Sequence, residues 1–172
     1  MLKKTLQKAL NEQLNAELYS SYLYLSMSAF CAAKDLVGMA AWFRVQAQEE
    51  LVHAGKFFDY IHDRGGRVVL APIAGPPTEW ASPLVAFEET LTHEQHVTSR
   101  IHKLVDLATK DSDHATVTFL QWFVNEQIEE ESTARQVCGQ LRIMGDSGSG
   151  LYMLDRELGT RVFVMPPANA GA

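Results

Sequence analysis

Hydrophobic residues recur along most of this chain at steps of three and four positions, the period of an amphipathic α-helix. Gly and Pro interrupt helices, and they are scarce before Arg64. They concentrate between Gly65 and Pro83 and are then absent until Gly139. The pattern therefore predicts two helical halves joined by one long connection.

Each half contains a shorter break, at residues 33–38 and 110–113, where Asp or Ser can cap the incoming helix. Four long helices result, each of about 28 residues and roughly 40 Å long. A Gly- and Ser-rich stretch at 145–150 precedes a short amphipathic segment, Leu151 to Leu158, which Gly159 can terminate. This segment is predicted to form a fifth helix.

The predicted fold class is all-α: a four-helix bundle with one long crossover between the second and third helices and a short C-terminal fifth helix. We expect this domain to span residues 1–160. Residues 161–172 have little to bury and are expected to form a flexible tail.

The composition is that of a globular domain, with 172 residues, 47% hydrophobic and 21% charged. A chain of this size buries about two thirds of the surface of its unfolded state, so it needs no structural metal. Four of its histidines, His93, His96, His102 and His114, have no partner at a helpful spacing and are predicted at the surface.

The charge balance limits the partners. Asp and Glu number 21 against 15 Lys and Arg, a net charge of −6 that argues against nucleic acid and anionic membranes as partners. No apolar run reaches the roughly 18 residues of a membrane span. Cys31 and Cys138 do not form a CxxC pair, and the chain opens without a signal peptide pattern, so we expect a cytoplasmic protein with two buried thiols.

Each of the four long helices carries a carboxylate on the face that should be buried. These residues are Glu17, Glu50, Glu94 and Glu130. The residues predicted on the four buried faces are, helix by helix, Leu6, Leu10, Leu14, Glu17, Ser21 and Tyr24; Phe43, Ala47, Glu50, His53 and Phe57; Phe87, Leu91, Glu94, Ile101 and Val105; and Leu120, Phe123, Gln127, Glu130, Ala134 and Val137. A buried carboxylate without a partner has an effective penalty of several kcal/mol, and no Lys or Arg lies nearby on these faces. The compensating charge is therefore predicted to come from bound cations.

The spacing of these residues indicates a site with two metal positions. Glu17 and Glu50 are 33 positions apart, as are Glu94 and Gln127, so the two halves form an internal pseudo-repeat in which His53 matches Glu130. Glu50 and His53 lie on one helix face and can ligate one ion, while Glu50 can also bridge to a second. Carboxylates with one imidazole suit Fe(II) or Mn(II) better than Zn(II).

Four strings in these helices carry a resemblance to a known family: NEQLNAELYSSYLY, RVQAQEELVHAGKFFDY, HEQ and FLQWFVNEQIEEE. They resemble the corresponding helices of bacterial non-haem ferritins, which belong to the ferritin-like di-iron carboxylate proteins. The resemblance covers nearly the whole chain.

The resemblance implies roles for individual residues. The first iron would be bound by Glu17, Glu50 and His53, and the second by Glu50 and Glu94, with Gln127 and Glu130 beside it. A third, outer iron position would use Glu49, Glu126, Glu129 and Glu130. The family also has a tyrosine at the position of Tyr24, which can supply an electron, and Trp122 fits the family pattern near the site. A packing role is the alternative for both aromatic residues.

The resemblance further implies an iron-storage ferroxidase. Such a protein oxidises Fe(II) with O2 or H2O2 and deposits Fe(III) as a mineral inside a hollow homo-oligomeric shell, which in the family has 24 subunits. The alternative of a haem-binding bacterioferritin is not favoured, so no haem is expected. Val52 stands where bacterioferritins have their haem-ligating Met, and Gln127-x-x-Glu130 stands where they have a second Glu-x-x-His. A rubrerythrin-type peroxidase usually adds a rubredoxin module with a set of four cysteines, which the two cysteines of this chain cannot build. A purely structural bundle with protonated carboxyl groups is the remaining alternative.

Overall fold

The computed structural model describes residues 2–165 of the chain. This part contains five helices and no strands: α1 Lys4–Ala32, α2 Val37–Asp63, α3 Pro83–Lys110, α4 His114–Met144 and α5 Gly148–Leu158. The helix α1 packs along α2, α3 packs along α4, and α5 lies against the α2 and α4 helices. The predicted all-α bundle with its fifth helix is confirmed.

The crossover between α2 and α3 lies against α1. The Asn11 side chain donates a hydrogen bond from Nδ2 to the Arg67 carbonyl at 3.1 Å and accepts one at Oδ1 from the Val69 amide at 2.6 Å. Further along, the Ser26 hydroxyl donates to the Pro77 carbonyl at 2.5 Å. The long connection is therefore fixed to the bundle by polar contacts, as a crossover without regular structure requires.

Short polar side chains cap three of the helices. Ser82 accepts from the Val85 amide at the start of α3, and Asp113 accepts from the Thr116 amide at the start of α4. The hydroxyl of Ser147 accepts from the Gly150 amide at 3.1 Å, so α5 begins at Gly148, three residues before the predicted start.

The start of α2 differs from the sequence prediction. Asp35 does not cap this helix, because its backbone has a positive φ of 59° in the turn after α1. The cap comes instead from Asp155 on α5, whose carboxylate accepts from the Gly38 amide at 3.0 Å and the Met39 amide at 2.8 Å. A side chain at Gly38 would overlap the Asp155 carbonyl, so only glycine permits this close approach.

Two apolar clusters occupy the bundle, and the buried carboxylates lie between them. One cluster includes Met27, Phe43 and Phe87, and the other includes Leu10 and Phe57. The predicted buried faces of α1, α2 and α4 are confirmed residue by residue. On α3 the prediction was wrong at two positions: Leu91 and Val105 are only half-buried, since the helix turns Thr90, Val97 and Leu104 inward instead.

The end of the chain is described as far as residue 165. Residues 161–165 have no regular secondary structure, while 166–172, which belong to the predicted tail, lie outside the described residues. Arg161 is held in contact with the bundle by an ion pair to Glu49. Among the helices that the structure describes, none combines the length and the apolar character needed to cross a membrane.

Candidate metal centre

The residues predicted for the inner site come together in a polar layer between the two apolar clusters, and all of them are buried. Their exposed fractions are 1% for Glu17 and Glu94, 2% for Glu50, 3% for Gln127, 4% for His53 and 7% for Glu130. The helical period explains this placement, because each residue lies three or four positions after another buried residue of its helix and shares its face. Every one of the four long helices contributes at least one of them.

Glu17, Glu50 and His53 form the first cluster. Each offers one ligand atom, and these atoms lie within 4.8 Å of one another. The His53 Nδ1 atom is 3.4 Å from Glu50 Oε2. Gln13 donates to Glu17 Oε1 at 2.8 Å, whereas the buried Glu17 Oε2 and Glu50 Oε2 atoms have no donor among the described residues other than a proton that the two carboxyl groups share. Buried oxygens of this kind are strongly disfavoured unless a cation or a donor reaches them.

Glu94 forms the second half of the layer. Its carboxylate accepts a hydrogen bond from the Tyr24 hydroxyl at one oxygen and from Gln127 Nε2 at the other, the latter at 3.0 Å. Gln127 also donates to the Glu94 main-chain carbonyl at 3.2 Å. Two donors thus orient Glu94, whereas Glu50 has an oxygen without one among the described residues. The two halves of the site are therefore chemically unequal.

Burial and mutual repulsion shift the ionisation of these carboxyl groups. Burial, followed by the charge of Glu50, raises the pKa of Glu17 from 4.5 to about 8. Burial also raises the pKa of Glu50 and Glu94, with repulsion from neighbouring carboxylates adding to it. The same causes raise the pKa of the Tyr24 hydroxyl well above 10, so this phenol stays protonated. A bound divalent cation would favour the charged carboxylates and release their protons.

A cavity of about 230 Å³ lies on the outer side of this layer. It is lined by the four carboxylates predicted for the outer position, Glu49, Glu126, Glu129 and Glu130, together with His53. The ligand atoms of His53, Glu126 and Glu130 lie within 4.8 Å of one another, so His53 borders both groups. Glu129 is exposed, while Glu49 and Glu126 are half-buried.

Comparison with known proteins addresses the family directly. A family model described as a ferritin-like domain matches residues 7–144. A bacterial non-heme ferritin of Staphylococcus saprophyticus is 44% identical over 163 residues, covering 95% of this chain and 98% of its own. The chain belongs to the ferritin family.

Further ferritins are similar to this chain in structure and in sequence. An open-pore ferritin from the hyperthermophilic archaeon Archaeoglobus fulgidus is 49% identical, covers 94% of this chain and all of its own, and superposes with a TM-score of 0.94. A version of the A. fulgidus ferritin engineered into a closed form has the same identity and TM-score. A bacterial non-heme ferritin of Staphylococcus aureus is 39% identical over the same share of each chain as the S. saprophyticus protein.

Sequence reasoning missed two polar residues of this ferritin that contact the site. Gln46 is fully buried on α2 and donates to Glu130 Oε2 at 2.8 Å. Its position four residues before Glu50, on the same helix face, was a usable signal. Arg161 contacts Gln46 and pairs with Glu49, its Nη2 atom 2.6 Å from Glu49 Oε2. No local pattern marks Arg161, because its partners lie on a distant part of the chain.

The prediction for His93 was wrong. This residue is half-buried rather than on the surface, because it faces α1, where its Nε2 atom lies 2.8 Å from the Ser20 hydroxyl. Its ring meets that of Tyr24 edge to face at 5.9 Å. Burial lowers the pKa of His93 to about 4, so it is a neutral packing partner of Tyr24. Trp122 packs edge to face on His53 at 5.3 Å, in line with a packing role.

Proposed function

We propose that this ferritin stores iron and acts as a ferroxidase. The observation that carries the proposal is the cluster of Glu17, Glu50 and His53, whose buried ligand atoms lie within 4.8 Å of one another. Oxygen ligands with one imidazole suit Fe(II). A packed structural core would not retain these carboxylates, because each one disfavours the metal-free fold.

In this proposal two Fe(II) ions are the substrates. The first binds to Glu17, Glu50 and His53, and the second binds between Glu50 and Glu94, beside Gln127 and Glu130. Each Fe(II) gives one electron, so two Fe(II) and two protons convert one O2 into one H2O2 and leave two Fe(III). The carboxyl protons released when iron binds are available for this step.

The unequal halves of the site have a use in this reaction. A second position with Gln127 and Glu130, instead of another Glu-His pair, holds its ion less tightly and lets the oxidised product leave. The outer carboxylates Glu49, Glu126 and Glu129 then offer a third position towards the cavity. In this proposal Tyr24, whose hydroxyl donates to Glu94, supplies an electron when O2 is reduced beyond H2O2.

Iron storage further requires an enclosed volume. We infer a hollow homo-oligomer, with 24 subunits as the family suggests, a ferric mineral core inside it and a cytoplasmic location. H2O2 is an alternative oxidant for the same site. We expect no haem, since Val52 stands where the haem-binding members have a methionine. A Soret band in the purified protein would contradict this last point.

An anaerobic Fe(II) titration followed by air exposure tests the function. We expect saturation at two or three Fe(II) per subunit, rapid O2 consumption, and continued iron uptake far beyond this ratio. The variant Glu50→Ala should lose bound iron and rapid oxidation, because Glu50 serves both metal positions. Glu12→Ala is the matched control, since Glu12 is exposed on α1 and pairs with Lys8 at the surface.

Two outcomes would overturn the proposal. Oxidation at the original rate in Glu50→Ala would show that the buried cluster is not the reaction site. Saturation at two Fe(II) without further uptake would indicate a di-iron enzyme on the same bundle that does not store iron.

A further inference from the structure

The strongest unassigned feature is the position of Arg161 at the mouth of the outer cavity. Its guanidinium contacts the Gln46 side-chain carbonyl with one nitrogen and lies 2.6 Å from Glu49 Oε2 with the other. It also stacks over the Trp42 ring, 4.8 Å from the ring centre. Three separate contacts therefore hold the Arg161 side chain, which follows α5, against the bundle.

These contacts link Arg161 to two of the four outer carboxylates. It pairs directly with Glu49, and through Gln46, which donates to Glu130 Oε2 at 2.8 Å, it reaches a second one. The guanidinium lines the same cavity as both carboxylates. Its side chain and that of Glu49 are only 25% and 24% exposed, so water screens this pair less than a surface ion pair.

We propose that Arg161 neutralises Glu49, one of the outer carboxylates of this ferritin, before iron arrives, and that a metal ion binds there in competition with its guanidinium. The inference rests on the proposed function, because it concerns the outer metal position. Arg161 therefore sets the metal affinity of the outer position. It keeps the outer position weaker than the inner one, so that iron passes through it.

The size of the effect follows from Coulomb's law. A divalent ion about 5 Å from a unit positive charge in water has its binding constant lowered by a factor of about 15, and salt reduces this factor. Removing the charge of Arg161 should therefore tighten the outer position about tenfold. The inner position, which Arg161 does not touch, should keep its affinity.

The test is a calorimetric titration of the iron-free protein with Zn²⁺, which needs no oxidation step. In Arg161→Gln the weakest class of sites should tighten at least about fivefold. Arg161→Lys keeps the charge and should stay within about twofold of the original protein. Arg156→Gln, at an exposed position on α5, controls for the loss of a positive charge elsewhere and should also stay unchanged.

Several results would overturn the inference. If Arg161→Gln leaves the weakest sites unchanged, weakens them or shows none, the guanidinium does not compete with the metal. If Arg161→Lys tightens them as much as Arg161→Gln, the cause is loosened packing rather than charge. These results are separate from a failure of the proposed function, which would appear as slow Fe(II) oxidation in the unaltered protein.

Discussion

Replacing Glu17 by Gln should make the metal-free protein less sensitive to rising pH. The pKa of Glu17 is raised from 4.5 to about 8, so between these values the folded protein holds a proton that the unfolded chain has released. Stability falls with pH wherever the folded state binds more protons. The metal-free protein should therefore lose stability from about pH 5 to about pH 8, and Glu17→Gln should remove the share due to Glu17.

The magnitude follows from the same two pKa values. With a pKa of about 8 when folded and 4.5 when unfolded, Glu17 lowers the free energy of unfolding by about 2 kcal/mol between pH 6 and pH 8. For a subunit of this size that corresponds to roughly 4–8 °C in the melting temperature. The amide of the variant can still accept the hydrogen bond from Gln13, so packing is retained.

Differential scanning calorimetry in the presence of a chelator, at a fixed subunit concentration, measures this effect. The melting temperature of the original protein should fall more between pH 6 and pH 8 than that of Glu17→Gln. In a chelator-free sample at pH 8, added Zn²⁺ should raise it more in the original protein than in the variant. Glu12→Gln, at an exposed position on the same helix, should behave like the original protein. An equal pH slope in Glu17→Gln and the original protein would refute the reasoning.

Two further predictions concern the α2 start and the tyrosine. Gly38→Ala should destabilise the fold by about 3 kcal/mol, since its β-carbon would overlap the Asp155 carbonyl, whereas Gly139→Ala, with open space around it, should stabilise it by up to about 1 kcal/mol. Equal melting temperatures of the two variants would contradict this. Tyr24→Phe, which loses the hydroxyl that donates to Glu94, should bind Zn²⁺ as before but release more H2O2 per O2 consumed, because it cannot supply the further electron; an unchanged H2O2 yield would exclude an electron-supplying role.

Helical periodicity accounts for most of what could be predicted. A residue three or four positions beyond a core residue shares its face, which is why Glu17, Glu50, Glu94 and Glu130 were identified from sequence and are buried in the structure. The Gly- and Pro-rich crossover was visible for a related reason, because a helix cannot continue through it. These inferences need only neighbours along the chain.

The features that escaped prediction depend on contacts between distant segments. Asp155 caps α2 across 117 positions, and Arg161 reaches Glu49 across 112. No local propensity encodes either contact. His93 escaped for a different reason: it adjoins Glu94 at the edge of the buried face, where one position turns a side chain by about 100° and burial depends on the neighbouring helix.

The two cysteines can report how often the helix bundle opens. Cys31 and Cys138 are both 0% exposed, and burial raises the pKa of Cys31 to about 12 and also raises that of Cys138. The reactive form of a thiol is the thiolate, so neither side chain reacts while the bundle is closed. The rate at which an alkylating reagent modifies each cysteine then measures how often the packed helices around that cysteine separate. The proposed chemistry consumes O2 within the same bundle.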